Sequence, residues 1–166
     1  KITLHKGDLP AGLDFGDSVA IDTETMGLKP HRDRLCLVQL SSGNGEAHIV
    51  QFDQEKYGAT NLISILQNPG ILKIFHYARF DVAIMEMYLN TITQSIFCTK
   101  IASKLVRTYT DRHGLKDLCK ELLNIELSKQ QQSSDWGNST LTDEQMQYAA
   151  SDVLYLHKIK EALASR

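Results

Sequence analysis

The chain has 166 residues, 42% of them hydrophobic and 23% charged. That size and mix predict one globular domain with a single core, and exclude a disordered, collagen-like or disulfide-stapled chain. Lys and Arg number 18 and Asp and Glu 20, a net charge of −2, so a nucleic-acid partner has to be argued from local charge or from a metal site. Cys36, Cys98 and Cys119 are few and far apart, which argues against a disulfide framework or structural zinc and for a reducing, cytoplasmic compartment. No apolar run approaches the roughly 18 residues of a membrane helix. Lys1-Ile2-Thr3-Leu4-His5 has no signal-peptide core, and the missing initiator Met suggests a piece of a longer chain.

Ser18 to Ile21 reads as a buried strand leading into Asp22-Thr23-Glu24. Leu35 to Leu40 is a second strand, Ser41-Ser42-Gly43-Asn44-Gly45 a hairpin turn, and Ala47 to Phe52 the return strand. Asn61 to Gln67 is helical and stops at Asn68-Pro69-Gly70. Ile71 to Phe75 is a strand, Phe80 to Leu89 a helix and Gln94 to Phe97 a fifth strand. Ile101, Leu105 and Val106 share one helical face, and Leu115, Leu118, Leu122 and Leu123 another. Ser128 to Ser134 is a polar, irregular connection. Thr142, with Gln145 three residues on, starts a final helix whose apolar stripe runs through Met146, Ala149, Val153, Leu156 and Ile159. An early hairpin followed by βα alternation predicts an α/β domain on a mixed, five-stranded sheet, and no phosphate-cradling glycine loop makes it Rossmann-like.

Asp22 and Glu24 are two apart at a strand end, so both point to one face. Like charges a few ångströms apart repel, and a hard divalent cation with a preference for oxygen removes the penalty. Tyr148 and Asp152 lie one helical turn apart beside Ala149, Ala150 and Ser151, small residues that allow close approach to a sheet. Asp81 falls in the first turn of the helix that follows the Ile71 to Phe75 strand. Each acid alone is as well explained by a solvated surface. Together they are an ordered constellation for two-metal phosphodiester cleavage, in which two divalent ions about 3.5–4 Å apart stabilise the attacking and leaving oxygens. Asp22 is placed to bridge them, Glu24 and Asp152 to complete one site and Asp81 to support the other, with Tyr148 orienting the attacking water.

Asp22-Thr23-Glu24-Thr25-Met26-Gly27-Leu28, His76-Tyr77-Ala78-Arg79-Phe80-Asp81 and Tyr148-Ala149-Ala150-Ser151-Asp152 resemble the three motifs of the DEDDy 3′-5′ exonucleases, a ribonuclease D-like family. Lys129 to Trp136 resembles the ribonuclease D segment before the last motif. Lys100 to Leu118, with Arg107-Thr108-Tyr109-Thr110-Asp111-Arg112-His113-Gly114-Leu115-Lys116, is more narrowly similar to the stand-alone bacterial nano-RNase C subfamily. The resemblance implies an RNase H-like, DnaQ-like fold over residues 1–166, two Mg²⁺ or Mn²⁺ ions held by Asp22, Glu24, Asp81 and Asp152, and release of nucleoside 5′-monophosphates from short RNA. It also implies a closed homo-oligomer, a ring of several subunits; no membrane partner is expected, given the missing apolar run.

The loop of Thr23, Met26, Gly27 and Leu28 would hold the 3′-terminal nucleotide, with Leu28 against a base, although a core-edge leucine reads the same way. His76 and Tyr77 would stack on a base or touch a phosphate; a satisfied strand-end histidine is the plainer reading of His76. Between Cys98 and Lys120 six basic residues face two acidic ones. Arg107, Arg112 and Lys116 are the candidates for phosphate contact there. Trp136 reads as packed against the last helix rather than as a stacking platform. The alternatives are a broader RNA-trimming or DNA exonuclease, and a nucleic-acid-binding scaffold without activity.

Overall fold

The computed structural model describes residues 1–53, 56–128, 131, 132 and 134–166. Among them, six strands form one mixed sheet in the order β1-β4-β3-β2-β5-β6: β1 (Ile2–Lys6), β2 (Ser18–Thr25), β3 (Leu35–Ser41), β4 (Ala47–Gln51), β5 (Leu72–Phe75) and β6 (Ile96–Cys98). β2–β3 and β3–β4 are antiparallel; β1–β4, β2–β5 and β5–β6 are parallel. The α/β class and the mixed sheet are as expected, but the strand count is six. The strand absent from the expectation is β1, an edge strand in which only Ile2 and Leu4 carry the alternating apolar signal. The β3–β4 turn bends through Gly43 and Gly45 at φ of +82° and +86°. A Cβ on Gly43 would strike the His157 ring, so this tip packs against the last helix.

The helices are α1 (Thr60–Gln67), α2 (Ala78–Leu89), α3 (Thr99–Val106), α4 (Leu115–Leu118), which runs on into a π-helical turn over Cys119–Leu123, α5 (Asp143–Leu154) and α6 (Leu156–Ala164). Side chains alternate along β2, and the two faces of the sheet bury different partners. Val19 and Ile21 pack with Leu62 and Leu66 of α1 and Ile84 and Met85 of α2. Ala20 packs with Ala150 and Val153 of α5 and Leu156 and Ile159 of α6.

Thr142 caps α5 as its spacing predicted. Its hydroxyl accepts from the Gln145 N–H at 3.1 Å, and the Gln145 side chain accepts from the Thr142 N–H at 2.9 Å. The final helix is nevertheless two helices. Tyr155 leaves helical geometry at φ −112°, ψ −2°, while the apolar stripe continues across the break and conceals it. The shared face of α3 exists but points outward. Ile101 and Leu105 are 59% and 75% exposed, whereas Thr99 and Ser103 face inward. Of the Ser128 to Ser134 connection and the Lys129 to Trp136 resemblance, positions 129, 130 and 133 lie outside the described residues.

Candidate active site

A cleft of about 480 Å³ opens at the carboxyl end of β2, and its walls come from both faces of the sheet. Asp22 and Glu24 point to the α5 face, as alternation required. Asp152 comes down from α5, where Ala149 and Ala150 are buried against the sheet and let the helix approach. Carboxylate oxygens of Asp22, Glu24 and Asp152 lie within 4.8 Å of one another. Thr23 points to the opposite face, where its hydroxyl donates to Asp81 Oδ1 of α2 at 2.6 Å. Asp81 thus borders the same cleft from the other layer, outside the group of three.

These acids are held at a cost. Burial lifts Asp22 to about 6, against hydrogen bonds from Asp152 and the Thr23 backbone that pull it down. Burial lifts Glu24, Asp81 and Asp152 well above the carboxylate range, and the charge of Asp22 adds to each. A divalent cation relieves both burdens at once, and three carboxylates at this spacing are the oxygen donor set that Mg²⁺ or Mn²⁺ takes. Tyr148 stacks on Trp136 with ring centroids 5.9 Å apart. Burial, with Asp152 next, raises its phenol above the usual value, so it keeps its proton at neutral pH. Trp136 is 2% exposed and packed, as expected.

The wall of the cleft formed by Met26, Gly27 and Leu28 is apolar and protruding. Leu28 is 85% exposed and Met26 about half. The loop that carries them is closed on itself: the Asp33 carboxylate accepts from the Lys29 N–H and from Arg32. A Cβ on Gly27 would collide with that carboxylate, which explains the glycine. Tyr77 sits in the left-handed region at φ +73°, a strained backbone for an aromatic residue. Its ring is stacked with Phe80 and covered by the Lys100 ammonium 4.2 Å from the centroid. His76 Nδ1 lies 2.9 Å from the Thr99 hydroxyl, while its Nε2 is buried without a hydrogen-bond partner. Burial lowers the ring to about 4, so it is neutral at pH 7.

Thr23, Met26, Gly27, Leu28, His76, Tyr77 and Lys116 therefore border one cleft with the acids. Arg107 and Arg112 do not. The Arg107 side chain is 2% exposed and pairs with Glu121, Nη2 to Oε1, at 2.6 Å. It also donates to the Ser103 hydroxyl at 2.9 Å and the Arg112 carbonyl at 2.7 Å. Its expected phosphate contact is corrected to an internal one, because this guanidinium is buried outside the cleft and all three of its nitrogens are hydrogen-bonded within the protein. Arg112 is exposed outside the cleft and contributes its carbonyl to that network. Gln39, on β3, escaped the sequence reading and lies beneath the acids.

Fold and site define an α/β domain whose buried carboxylates gather at a strand end, an arrangement for divalent cations and phosphodiesters. A 3′-5′ exonuclease family model matches residues 9–166, and the chain belongs to that family. Ribonuclease D of Acidiphilium cryptum is 31% identical over 148 residues, 89% of this chain and 37% of that protein. The chain thus spans little more than a third of the length of such relatives. Brucella melitensis NrnC superposes with a TM-score of 0.96 at 55% identity, over 99% of this chain and 81% of that one. Structures of NrnC also exist bound to pGG and with bound Mg²⁺. Escherichia coli RNase D matches with a TM-score of 0.76 at 26% identity, over 90% of this chain and 39% of that one. The RNase H-like exonuclease fold expected from the motifs is thereby shown.

Proposed function

We propose that residues 1–166 act as one metal-dependent 3′-5′ exoribonuclease domain that shortens short RNA, dinucleotides included, by one nucleoside 5′-monophosphate at a time. The observation that carries this reading is the trio Asp22, Glu24 and Asp152, with oxygens within 4.8 Å at the floor of an open cleft. In this reading Asp22, Glu24 and Asp152 hold divalent metal, with Asp81 as a further support steadied by Thr23. Two bound ions of Mg²⁺ or Mn²⁺ would supply activation of water and stabilisation of charge on the leaving oxygen. Tyr148, protonated and fixed by Trp136, orients the attacking water through its hydroxyl. Leu28 and Met26 pack on the terminal base, a contact that any base satisfies, and Tyr77 borders the same cleft with Lys100 over its ring. Lys116 meets phosphate.

The short substrate is supported by the pGG complex of the Brucella protein, a neighbour at 54% identity. A ring-like homo-oligomer belongs to the same reading, and the outward Ile101 and Leu105 of α3 support it as apolar surface suited to a neighbouring subunit. A cytoplasmic location is supported by three free cysteines. Among the described residues no helix is long and apolar enough to cross a membrane.

The test is a product ladder with 5′-labelled RNA: a dinucleotide, a heptamer and a strand of about twenty nucleotides, with Mn²⁺ or Mg²⁺ and an Asp22→Ala control. Fast cleavage of the dinucleotide and an inert control support the proposal. Trimming of the long strand while the dinucleotide survives replaces it with a broader trimming exonuclease. Equal rates on the matching DNA remove the RNA preference, which would have to come from the 2′ hydroxyl. Binding without cleavage by the intact protein leaves a scaffold.

A further inference from the structure

Gln39 interrupts an otherwise apolar strand segment, Leu35 to Leu40, and is fully buried. In the antiparallel register it stands directly opposite Asp22, so the two side chains share the α5 face of the sheet. Its Nε2 lies 3.2 Å from the Ala149 carbonyl of α5 and 3.5 Å from Asp22 Oδ2. Both neighbours only accept, so the amide nitrogen must face them. The other end of the amide, Oε1, is buried with no hydrogen-bond partner. An unpartnered buried carbonyl costs stability, and a leucine would fit this strand without that cost.

We propose that Gln39 is a positioning residue of the metal site: its amide ties the Asp22 carboxylate on the sheet to the α5 backbone at Ala149. The tie matters because the trio is split between two elements. Asp22 and Glu24 ride on β2 and Asp152 on α5, so the gap between helix and sheet sets the spacing of the oxygens. Ala149 lies between Tyr148 and Asp152, and a bond to its carbonyl registers the helix segment that carries both. The outer partners of metal ligands fix their orientation in this way, and removing one typically costs ten- to a hundredfold in metal affinity.

This inference rests on the proposed metal-dependent hydrolysis, and the experiment separates the two. Gln39→Met keeps length and burial and removes both donors; Gln39→Leu is the second variant should the first not fold. Ser41→Ala, which removes the other polar side chain of β3, bonded to Glu46 and away from the acids, is the control. Mn²⁺ alone is titrated against the ion-free proteins by thermal melting, and in parallel against dinucleotide cleavage. The expected result is a metal midpoint raised about tenfold in both readouts for the Gln39 variants, with kcat recovered at saturating Mn²⁺ and the Ser41 variant unchanged. A wild-type midpoint in a folded Gln39 variant overturns the positioning role, whatever its melting temperature. If the wild-type protein shows no Mn²⁺ stabilisation, or Asp22→Ala still cleaves, the underlying hydrolysis reading falls instead.

Discussion

At the cleft, Asp22, Glu24, Asp81 and Asp152 are packed among each other, and every one is pushed above its ordinary range. Around Arg107 the opposite holds. The guanidinium is as deeply buried, yet Glu121, Ser103 and the Arg112 carbonyl take up its donors. Its bond holds Glu121 down at about 2, and Tyr109 and Arg166 close the far side of that carboxylate. Both clusters bury a charged side chain. One is complete in the protein alone, and the other becomes complete only with a cation from outside. A buried charge therefore marks a binding site when its partners are missing, and marks architecture when they are present.

The sharpest way to break this contrast is Asp22→Asn. The expected loss in kcat is on the order of 10³-fold or more, since several kcal/mol of charge stabilisation go with the ligand. The same variant should melt above the wild type in chelator, because a repelling charge is gone. Loss of activity together with loss of ion-free stability would contradict the frustrated cluster. Arg107→Met is the mirror experiment. Breaking a buried pair from one side costs about 3–5 kcal/mol, and the partial exposure of Glu121 places the expectation near the lower end. Urea unfolding reads that cost, while the folded fraction should keep its kcat within a few fold.

A pH series separates the clusters by sign. Asp22 binds its proton more tightly folded than unfolded, so its contribution to ion-free stability is full below about 3.8 and is lost as pH rises through about 6. Glu121 binds its proton less tightly when folded. Its contribution is present above 4.5 and is lost as pH falls through about 2. Urea midpoints in chelator should therefore fall on both sides of a maximum. Asp22→Asn should make the alkaline limb shallower, with Glu24, Asp81 and Asp152 still feeding it, and Glu121→Gln should flatten the acid limb; an unchanged profile in either variant counts against its assignment. The smallest effect concerns the surface cations. Lys116→Ala should raise KM several-fold at low salt, less at high salt, while Arg112→Ala leaves KM unchanged.

Strand alternation alone placed Asp22 and Glu24 on one face, and helical spacing placed Tyr148 above Asp152. Both are local rules, and both survive in the structure. The capping box at Thr142 was legible for the same reason. What escaped depended on distant partners. β1 is a strand because β4 accepts it, not because Ile2 to Lys6 demands it. Gln39 is one polar residue among apolar ones until the β2–β3 register sets it opposite Asp22. Arg107 counted as surface charge in the sequence, and only the approach of Glu121 turns it inward. The outward face of α3 failed similarly, since periodicity identifies an apolar stripe but not which side of it the protein covers.

The two halves of the carboxylate trio are separated by nearly the whole chain, with Asp22 near its start and Asp152 on α5. During synthesis the first acids leave the ribosome long before the last, and the domain's early strands can pair without it. Until Asp152 has been made, a nascent chain carries only two of the three carboxylates whose oxygens lie within 4.8 Å of one another in the folded domain. The third carboxylate joins the other two only through the packing of α5 on β3 and β2.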